Sequence, residues 1–305
     1  MIERGMGVSQ ISQKLHDEKV ISNPLLFKIA ARVFSKSLKA GEYEFPVRIS
    51  MKAALRQLGA GEIITRRFTI REGLTSYETV RLINGLDNLS GEIKSIPSEG
   101  TLLPNTYDYQ LGESRAAIIT RLETEMENAI LNSCNILLEK IAASTLTDMM
   151  ERECPTAPKP LKNLRDVLTL ASIVEKETAV ADERAKVAGV FLNRLNKGMA
   201  LQTDPTVIYA ITKGKHKNDG KGPLGRRLLR KDLKIDNPYN TYKYAGLPPG
   251  PIANPGKDAI EAVINPQQHD YLFFVADGTG GHAFGRNLAE HNANVKKWRK
   301  IRSQK

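Results

Sequence analysis

The segment at residues 166–179, DVLTLASIVEKETA, limits the possible folds because it is a helix pattern that is apolar on one side yet carries acidic residues. Leu170, Ile173 and Val174 fall on one stripe at helical spacing, and position 177 is the next step of that series. A stripe of this kind packs into a core, so Glu177 is predicted to be buried. Glu175 points to the opposite side of the same helix and is predicted to face solvent.

Burial would make these two carboxylates chemically different. Loss of water disfavours the charged form, so the pKa of Glu177 is predicted to rise. A carboxyl that stays protonated near neutral pH can act as a general acid. The alternative is a structural glutamate that pairs with a distant arginine or caps a loop, since a buried carboxylate needs a partner.

The bulk composition limits the class of partner without selecting one. The chain has 305 residues, enough for about two domains, and 41% of them are apolar. A formal charge of +11 favours anionic partners. The basic loop at residues 213–234 has neither the aromatic residues nor the helix-turn-helix pattern typical of nucleic-acid binding, so no nucleic-acid partner is predicted.

No metal site and no cofactor are predicted. Cys134 and Cys154 are the two cysteines and form no CxxC motif, so a zinc site of ordinary spacing is not expected. The two thiols could pair in an oxidising compartment or remain free, and the sequence leaves this open. Asp277, His282 and His291 match no usual ligand spacing, and GTGGH at 278–282 is typical of a hairpin turn.

Two stretches suggest a weak internal repeat. IERGMGVSQISQKL (2–15) and IREGLTSYETVRLI (70–83) share a strand end, charged residues, a glycine, a serine and an apolar helix. Chance similarity of two short βα turns is the alternative. Alternation in KAGEYEFP (39–46) predicts a strand, and the chain is expected to end in a hairpin.

Several blocks together resemble one known family. LASIVEKETAV is followed by ADERAKVAGVFLNRLNKGMALQTDPTVIYAI (181–211), NPYNTYKYAGLPPGPIANPG (237–256) and YLFFVADGTGGHAFGRNLAEHN (271–292). These blocks and the N-terminal RGMGVSQISQKLHDEKVI resemble the endolytic murein transglycosylases, the MltG or YceG-like family. The resemblance covers nearly the whole chain.

The resemblance implies an α+β fold. A small LysM-like α/β module is expected at residues 1–65, and a mixed α+β catalytic region like that of lytic transglycosylases at 66–305. The catalytic region would include a second, degenerate LysM-like unit near 66–98. The family is normally tethered by one N-terminal transmembrane helix. The chain begins inside the first motif of the module, so we expect an upstream anchor in the bacterial inner membrane and a periplasmic catalytic part.

The resemblance also implies the reaction. Glu177, followed by Thr178, matches the family's single acid/base glutamate, which cuts glycan strands of peptidoglycan between N-acetylmuramic acid and N-acetylglucosamine and leaves 1,6-anhydro ends. Peptidoglycan synthases are the expected protein partners. Residues predicted to bind the sugars, through amide, hydroxyl and aromatic groups, are Gln202, Thr203, Asp204, Tyr209, Asn240, Thr241 and Tyr242.

Local turn chemistry is the alternative explanation for the Asp-Pro and Asn-Pro motifs near several of the predicted sugar-binding residues.

Two other functions also stay open from the sequence. Asp204 could be a second carboxylate, and the protein would then be a hydrolase of the same substrate. A non-catalytic wall-binding module is the third possibility.

Overall fold

The structure is a computed structural model, and it describes residues 1–34, 37–137, 146–216 and 223–303. Within these ranges the chain forms helices and two small sheets. The helices are α1 Val8–Asp17, α2 Pro24–Phe34, α3 Met51–Ala60, α4 Ser76–Asn84, α5 Arg115–Ser133, α6 Leu146–Met149, α7 Leu164–Glu177, α8 Arg184–Asn196, α9 Asp204–Thr212, α10 Lys257–Ile264 and α11 Leu288–Ser303. The strands are β1 Arg66–Thr69, β2 Thr106–Tyr109, β3 Phe273–Ala276 and β4 His282–Gly285.

The chain divides into two compact units. The first unit comprises residues 1–68, 86–91 and 106–114. Its core lies between α1, α2 and α3, where the side chains of Ile11, Phe27 and Leu58 are buried together. The Ser50 side chain accepts a hydrogen bond from the Ala53 N–H and so caps the start of α3. Gly61 ends this helix in the left-handed conformation that glycine adopts readily.

The second unit comprises residues 69–85, 92–105 and 115–305. Helix α7 lies within its core and packs against α8, α9 and α10. The Asn163 side chain accepts a hydrogen bond from the Asp166 N–H, which fixes where α7 begins. Strands β3 and β4 pair antiparallel, with Phe273 opposite Gly285, and α11 packs on this hairpin.

Helix α7 is buried on more sides than its apolar stripe predicted. Thr169 is buried, and the side chain of Glu175 is only 5% exposed. The prediction that Glu175 faces solvent is therefore wrong. The physical reason is that the segments around Gly256 and Arg184 cover the face of α7 opposite its apolar stripe.

The mixed α and β class is confirmed. The strand predicted at 39–46 is absent, because this segment pairs only through an isolated bridge between Gly41 and Ile2. The terminal hairpin is present, but α11 follows it and was not predicted. In the two stretches that suggested a repeat, Gly5 and Gly73 both have positive φ and both precede a helix. The LysM-like assignment and the domain boundaries remain predictions.

Cys134 and Cys154 form a disulfide bond, which settles the question that the sequence left open. Both residues are buried in the core that also holds α7. No described helix has both the length and the apolar character that a membrane span requires.

Candidate active site

Glu177 is the last residue of α7 and lies in an open cleft of about 530 Å³. The helix stops there because Thr178 takes an extended conformation, although its N–H still donates to the Val174 carbonyl. Five predicted site residues line the cleft: Glu177, Gln202, Thr203, Asp204 and, from a later loop, Tyr242. The structure thus brings together the predicted acid and four of the seven predicted sugar-binding residues.

The groups around Glu177 determine the pKa of its carboxyl. Burial raises the pKa of this carboxyl, and the negative charge of Asp204 adds to the rise. The Thr203 hydroxyl donates a hydrogen bond to Oε1 and opposes the rise, as do the positive charge of Arg194 and the nearby His282. The site therefore favours a neutral carboxyl but also contains groups that stabilise its anion, as a residue that both gives and takes a proton requires.

Hydrogen bonds among neighbouring residues fix the position of Thr203. It precedes α9, and its N–H donates to the Thr241 hydroxyl oxygen over 3.1 Å. Thr241 also shares a 2.8 Å hydrogen bond with Thr206. The Asn240 amide donates to the carbonyls of Leu233 and Ile235.

Asn240 and Thr241 are fully buried and do not line the cleft. Direct contact between these two side chains and a sugar, which the sequence predicted, does not fit this arrangement. Their hydrogen bonds instead shape the loop that carries Tyr242 and support Thr203 beside Glu177. We therefore regard them as positioning residues.

Asp204 and Tyr242 form a pair in the cleft. The Tyr242 hydroxyl donates to Asp204 Oδ1 over 2.7 Å. Burial raises the pKa of Tyr242, and its hydrogen bond to Asp204 adds to the rise, so its hydroxyl remains a donor at physiological pH. One oxygen of Asp204 is consequently engaged within the protein.

Tyr209 does not line this cleft. Its ring lies 4.9 Å from that of Tyr239, and its hydroxyl bonds to the carboxyl of Glu99. Tyr209 therefore belongs to a different polar cluster of the same unit.

Sequence reasoning missed several cleft residues that come from other elements. Arg194 of α8 is buried, and its Nε donates to the Leu272 carbonyl over 2.6 Å while Nη1 donates to the carbonyls of Ala200 and Leu201. Its guanidinium carbon lies 5.0 Å from the centre of the Phe273 ring. Val187, Phe191 and Arg194 follow helical spacing, so the reasoning that singled out Glu177 could also have found this arginine. His291, which the sequence analysis considered only as a metal ligand, reaches the cleft from α11.

The three residues considered as metal ligands each contact a different partner in the protein. His282 lies 2.6 Å from a carboxylate oxygen of Glu183, whereas Asp277 accepts hydrogen bonds from Thr279 in the hairpin turn. The His291 ring stacks on Phe273. Across the described residues, no group of three or more His, Cys, Asp or Glu side chains has a geometry that could hold a metal ion.

Some charged residues of the basic loop at 213–234 form ion pairs within the protein. Arg226 forms two hydrogen bonds with Asp232, at 2.6 and 3.0 Å, and this pairing lowers the pKa of Asp232 to about 2. His216 is buried and lies 3.3 Å from Glu78. Residues 217–222 of this loop lie outside the described residues.

Glu177 is a helix-end glutamate with a raised pKa, and its cleft has one further carboxylate and several hydroxyl and aromatic groups. Such a site is suited to acid/base chemistry on a polar substrate. Comparison with known proteins makes this specific. The YceG-like family matches residues 1–297, and the chain belongs to that family.

Individual proteins that are similar to this chain have names that fit the same family. A Bacillus subtilis protein named endolytic murein transglycosylase is 33% identical over 272 residues, which cover 86% of this chain and 68% of that protein. A Streptococcus pneumoniae protein of the same name is 31% identical, with 96% of this chain and 57% of that protein covered. A crystal structure of a YceG-like protein from Listeria monocytogenes superposes with a TM-score of 0.54 at 31% identity, covering 96% of this chain and 97% of that one.

Proposed function

We propose that the protein is an endolytic lytic transglycosylase of peptidoglycan, with Glu177 as its catalytic acid and base. The observation that carries the proposal is the position of Glu177, a carboxyl with a raised pKa in an open cleft. The names of the relatives supply the substrate: each is called an endolytic murein transglycosylase.

The proposed cycle consumes no water. Protonated Glu177 gives its proton to the oxygen that links N-acetylmuramic acid to the next sugar, and the bond from C1 to that oxygen breaks. The C6 hydroxyl of the same muramic sugar then bonds to C1, and its proton passes to the Glu177 carboxylate. The products are a free hydroxyl on one fragment and a 1,6-anhydro ring on the other. Glu177 ends the cycle protonated, as it began.

Neighbouring groups fit both halves of this cycle. Thr203 occupies Oε1 of Glu177, so we assign the transferred proton to Oε2. While Glu177 is an anion, the charge of Arg194 stabilises it. Gln202 and the Asp204–Tyr242 pair offer hydrogen-bonding groups to sugar hydroxyls and N-acetyl groups along the cleft.

Hydrolysis of the same bond is the second candidate function, and Asp204 is the observation that favours it. A hydrolase needs a second carboxylate to activate water or to attack the sugar. Asp204 lines the cleft, but Oδ1 accepts a hydrogen bond from Tyr242. The two reactions give different ends: a 1,6-anhydro end is lighter by one water than a reducing end.

The test combines a variant with analysis of products. Purified glycan strands are digested with the wild-type chain, Glu177→Gln and Glu261→Gln, and the fragments are identified by mass spectrometry. We expect anhydro ends from the wild type and a rate about 10⁴-fold lower for Glu177→Gln, the upper end of the range for a lost general acid, because the same group serves both steps. Glu261 is exposed on α10, so its variant should match the wild type.

Reducing ends from the wild type would replace the proposal by hydrolysis. Full activity in a folded Glu177→Gln variant would remove Glu177 from the mechanism and leave wall binding as the function. We further propose, from the family resemblance, that the protein acts on the periplasmic side of the inner membrane beside peptidoglycan synthases.

A further inference from the structure

Helix α2 of the first unit has one face buried in the core and one exposed face that is also apolar. Phe27 and Ala31 are buried against the unit's core. Four large apolar side chains on the other side are more than half exposed, namely Leu25 (64%), Leu26 (54%), Ile29 (53%) and Val33 (68%). We call these four residues the α2 stripe. At about 100° per residue they cover roughly a 100° arc of the helix.

The exposed apolar surface continues beyond the stripe. Phe34, at the end of α2, is 81% exposed and lines a groove of about 1000 Å³ shared with Met51 and Leu55 of α3. Single exposed apolar residues are ordinary, but a contiguous patch of large ones marks a surface that binds something. The stripe does not hold α2 in the unit, because Asn23 caps the start of the helix and Phe27 anchors it.

The charged residues of α2 and α3 are all lysines or arginines, and the nearest acidic residues in the sequence lie outside both helices. Lys28 and Arg32 lie along one edge of the stripe on the helical wheel. Lys52 and Arg56 line the groove on the other side. An apolar strip between two basic margins is the pattern of a helix that lies in the surface of an anionic bilayer.

We propose that the α2 stripe inserts into the surface of a membrane that contains anionic lipids. Helix α2 has 11 residues and is about 16 Å long, roughly half the thickness of a bilayer core, so it lies along the surface and does not cross it. The apolar side chains would enter the acyl boundary while the lysines and arginines reach lipid phosphates. A second copy of the chain fits less well, because pairing two stripes would oppose their basic margins.

The inference is independent of the proposed function, since none of its residues lies in the cleft that holds Glu177. It can be tested with the full chain by co-sedimentation with vesicles. The vesicles are phosphatidylcholine alone and phosphatidylcholine mixed with phosphatidylglycerol. The variant Ile29→Glu/Val33→Glu keeps two helix-compatible residues at exposed positions, so its melting temperature should stay within about 2 °C of the wild type.

We expect the wild type to bind the mixed vesicles and Ile29→Glu/Val33→Glu to bind them at least about tenfold more weakly, because two inserted apolar groups are lost. Lys28→Gln/Arg32→Gln should lose affinity for the mixed vesicles only, and binding should weaken as salt rises to physiological strength. The matched control is Ile96→Glu/Leu229→Glu. It changes two apolar residues of similar exposure outside the stripe and should bind like the wild type.

Insertion is separated from mere adsorption by a fluorescent side chain. Trp298 is the chain's one tryptophan, so Val33→Trp in a Trp298→Phe background reports on the stripe alone. Lipids brominated in the acyl chain should quench it. Absence of quenching, unchanged binding of Ile29→Glu/Val33→Glu, or failure of the wild type to bind the mixed vesicles would each overturn the proposal. So would light scattering that shows a dimer which only the stripe variant dissociates, because the stripe would then be a contact between copies.

Discussion

Glu175 and Glu177 are two positions apart on α7, but their carboxyl groups have different partners. Glu175 accepts a hydrogen bond from the Gly256 N–H over 3.0 Å and lies 3.8 Å from the guanidinium of Arg184. Gly256 is the residue immediately before α10, so the Glu175 carboxylate caps that helix from α7. Arg184 also bonds to Glu72 and Asp258, so Glu175 belongs to a network that joins separate segments of one unit.

We therefore expect Glu175→Ala to act on stability. Loss of the carboxylate leaves Arg184 partly unpaired and the start of α10 uncapped, which should lower the free energy of unfolding by about 2–4 kcal/mol. Urea denaturation followed by circular dichroism measures the change. At a temperature where the variant is folded, its cleavage rate should fall far less than that of Glu177→Gln.

The control for this prediction is Glu261→Ala, at an exposed position of α10, which should change the free energy of unfolding by less than about 0.5 kcal/mol. Equal stability of the Glu175 and Glu261 variants would mean that the network contributes nothing measurable.

At the scale of elements, the disulfide joins the end of one helix to a segment further along the chain. Cys134 directly follows α5, and Cys154 lies between α6 and α7, at a sequence separation of 20. A covalent bond across a loop of this length restricts the unfolded chain more than the folded one. The bond therefore stabilises the packing of the core around α7.

Removing the bond by Cys134→Ser/Cys154→Ser should lower the free energy of unfolding by about 3 kcal/mol, the loop-entropy value for this separation. Denaturant midpoints of the oxidised wild type and the double variant measure the difference. The wild type in reducing buffer provides the comparison, since it should unfold close to the double variant. If reduction leaves the midpoint unchanged, the bond is not formed in the purified protein.

At the scale of the whole molecule, the pH dependence of stability involves the buried carboxyl of Glu99. Glu99 accepts a 2.7 Å hydrogen bond from the Ser76 N–H and bonds to the hydroxyl of Tyr209. Burial is the main cause that raises its pKa to about 7, and the nearby charge of Glu78 contributes. Lys176 lies close enough for its charge to interact with Glu99, and burial lowers the pKa of this lysine.

This shift makes stability depend on pH with a defined sign. The pKa of Glu99 is higher in the folded than in the unfolded chain, so its contribution to stability is complete below about pH 4.5. The contribution is then lost as pH rises through about 7. We expect the loss to be on the order of 2 kcal/mol. Glu99→Gln, which cannot ionise, should lose correspondingly less stability between pH 5 and pH 8, as measured by urea denaturation at each pH.

The comparison between two pH values cancels the effects of other groups that titrate equally in both proteins. Glu261→Gln serves as the exposed control and should follow the wild type at every pH. Parallel stability curves for Glu99→Gln and the wild type would show that Glu99 does not titrate with a raised pKa.

The sequence by itself determined what depends on neighbours along the chain. Helical periodicity set the angle between Glu177 and the apolar residues of α7, because that angle follows from 3.6 residues per turn. The same local rule applies to the start of α7, where the Asn163 side chain caps the helix through a residue three positions away. The order of the motif blocks was enough to indicate the family.

Only the tertiary structure decided which elements cover each face. Periodicity cannot show that Arg184 and Gly256 enclose the side of α7 that carries Glu175, because these groups come from other segments. It also could not separate Tyr242, which lines the cleft, from Asn240 and Thr241, which are buried in the same loop. Local sequence fixes the direction of a side chain on its own element, whereas burial and chemical partners depend on contacts between residues that are distant in the chain.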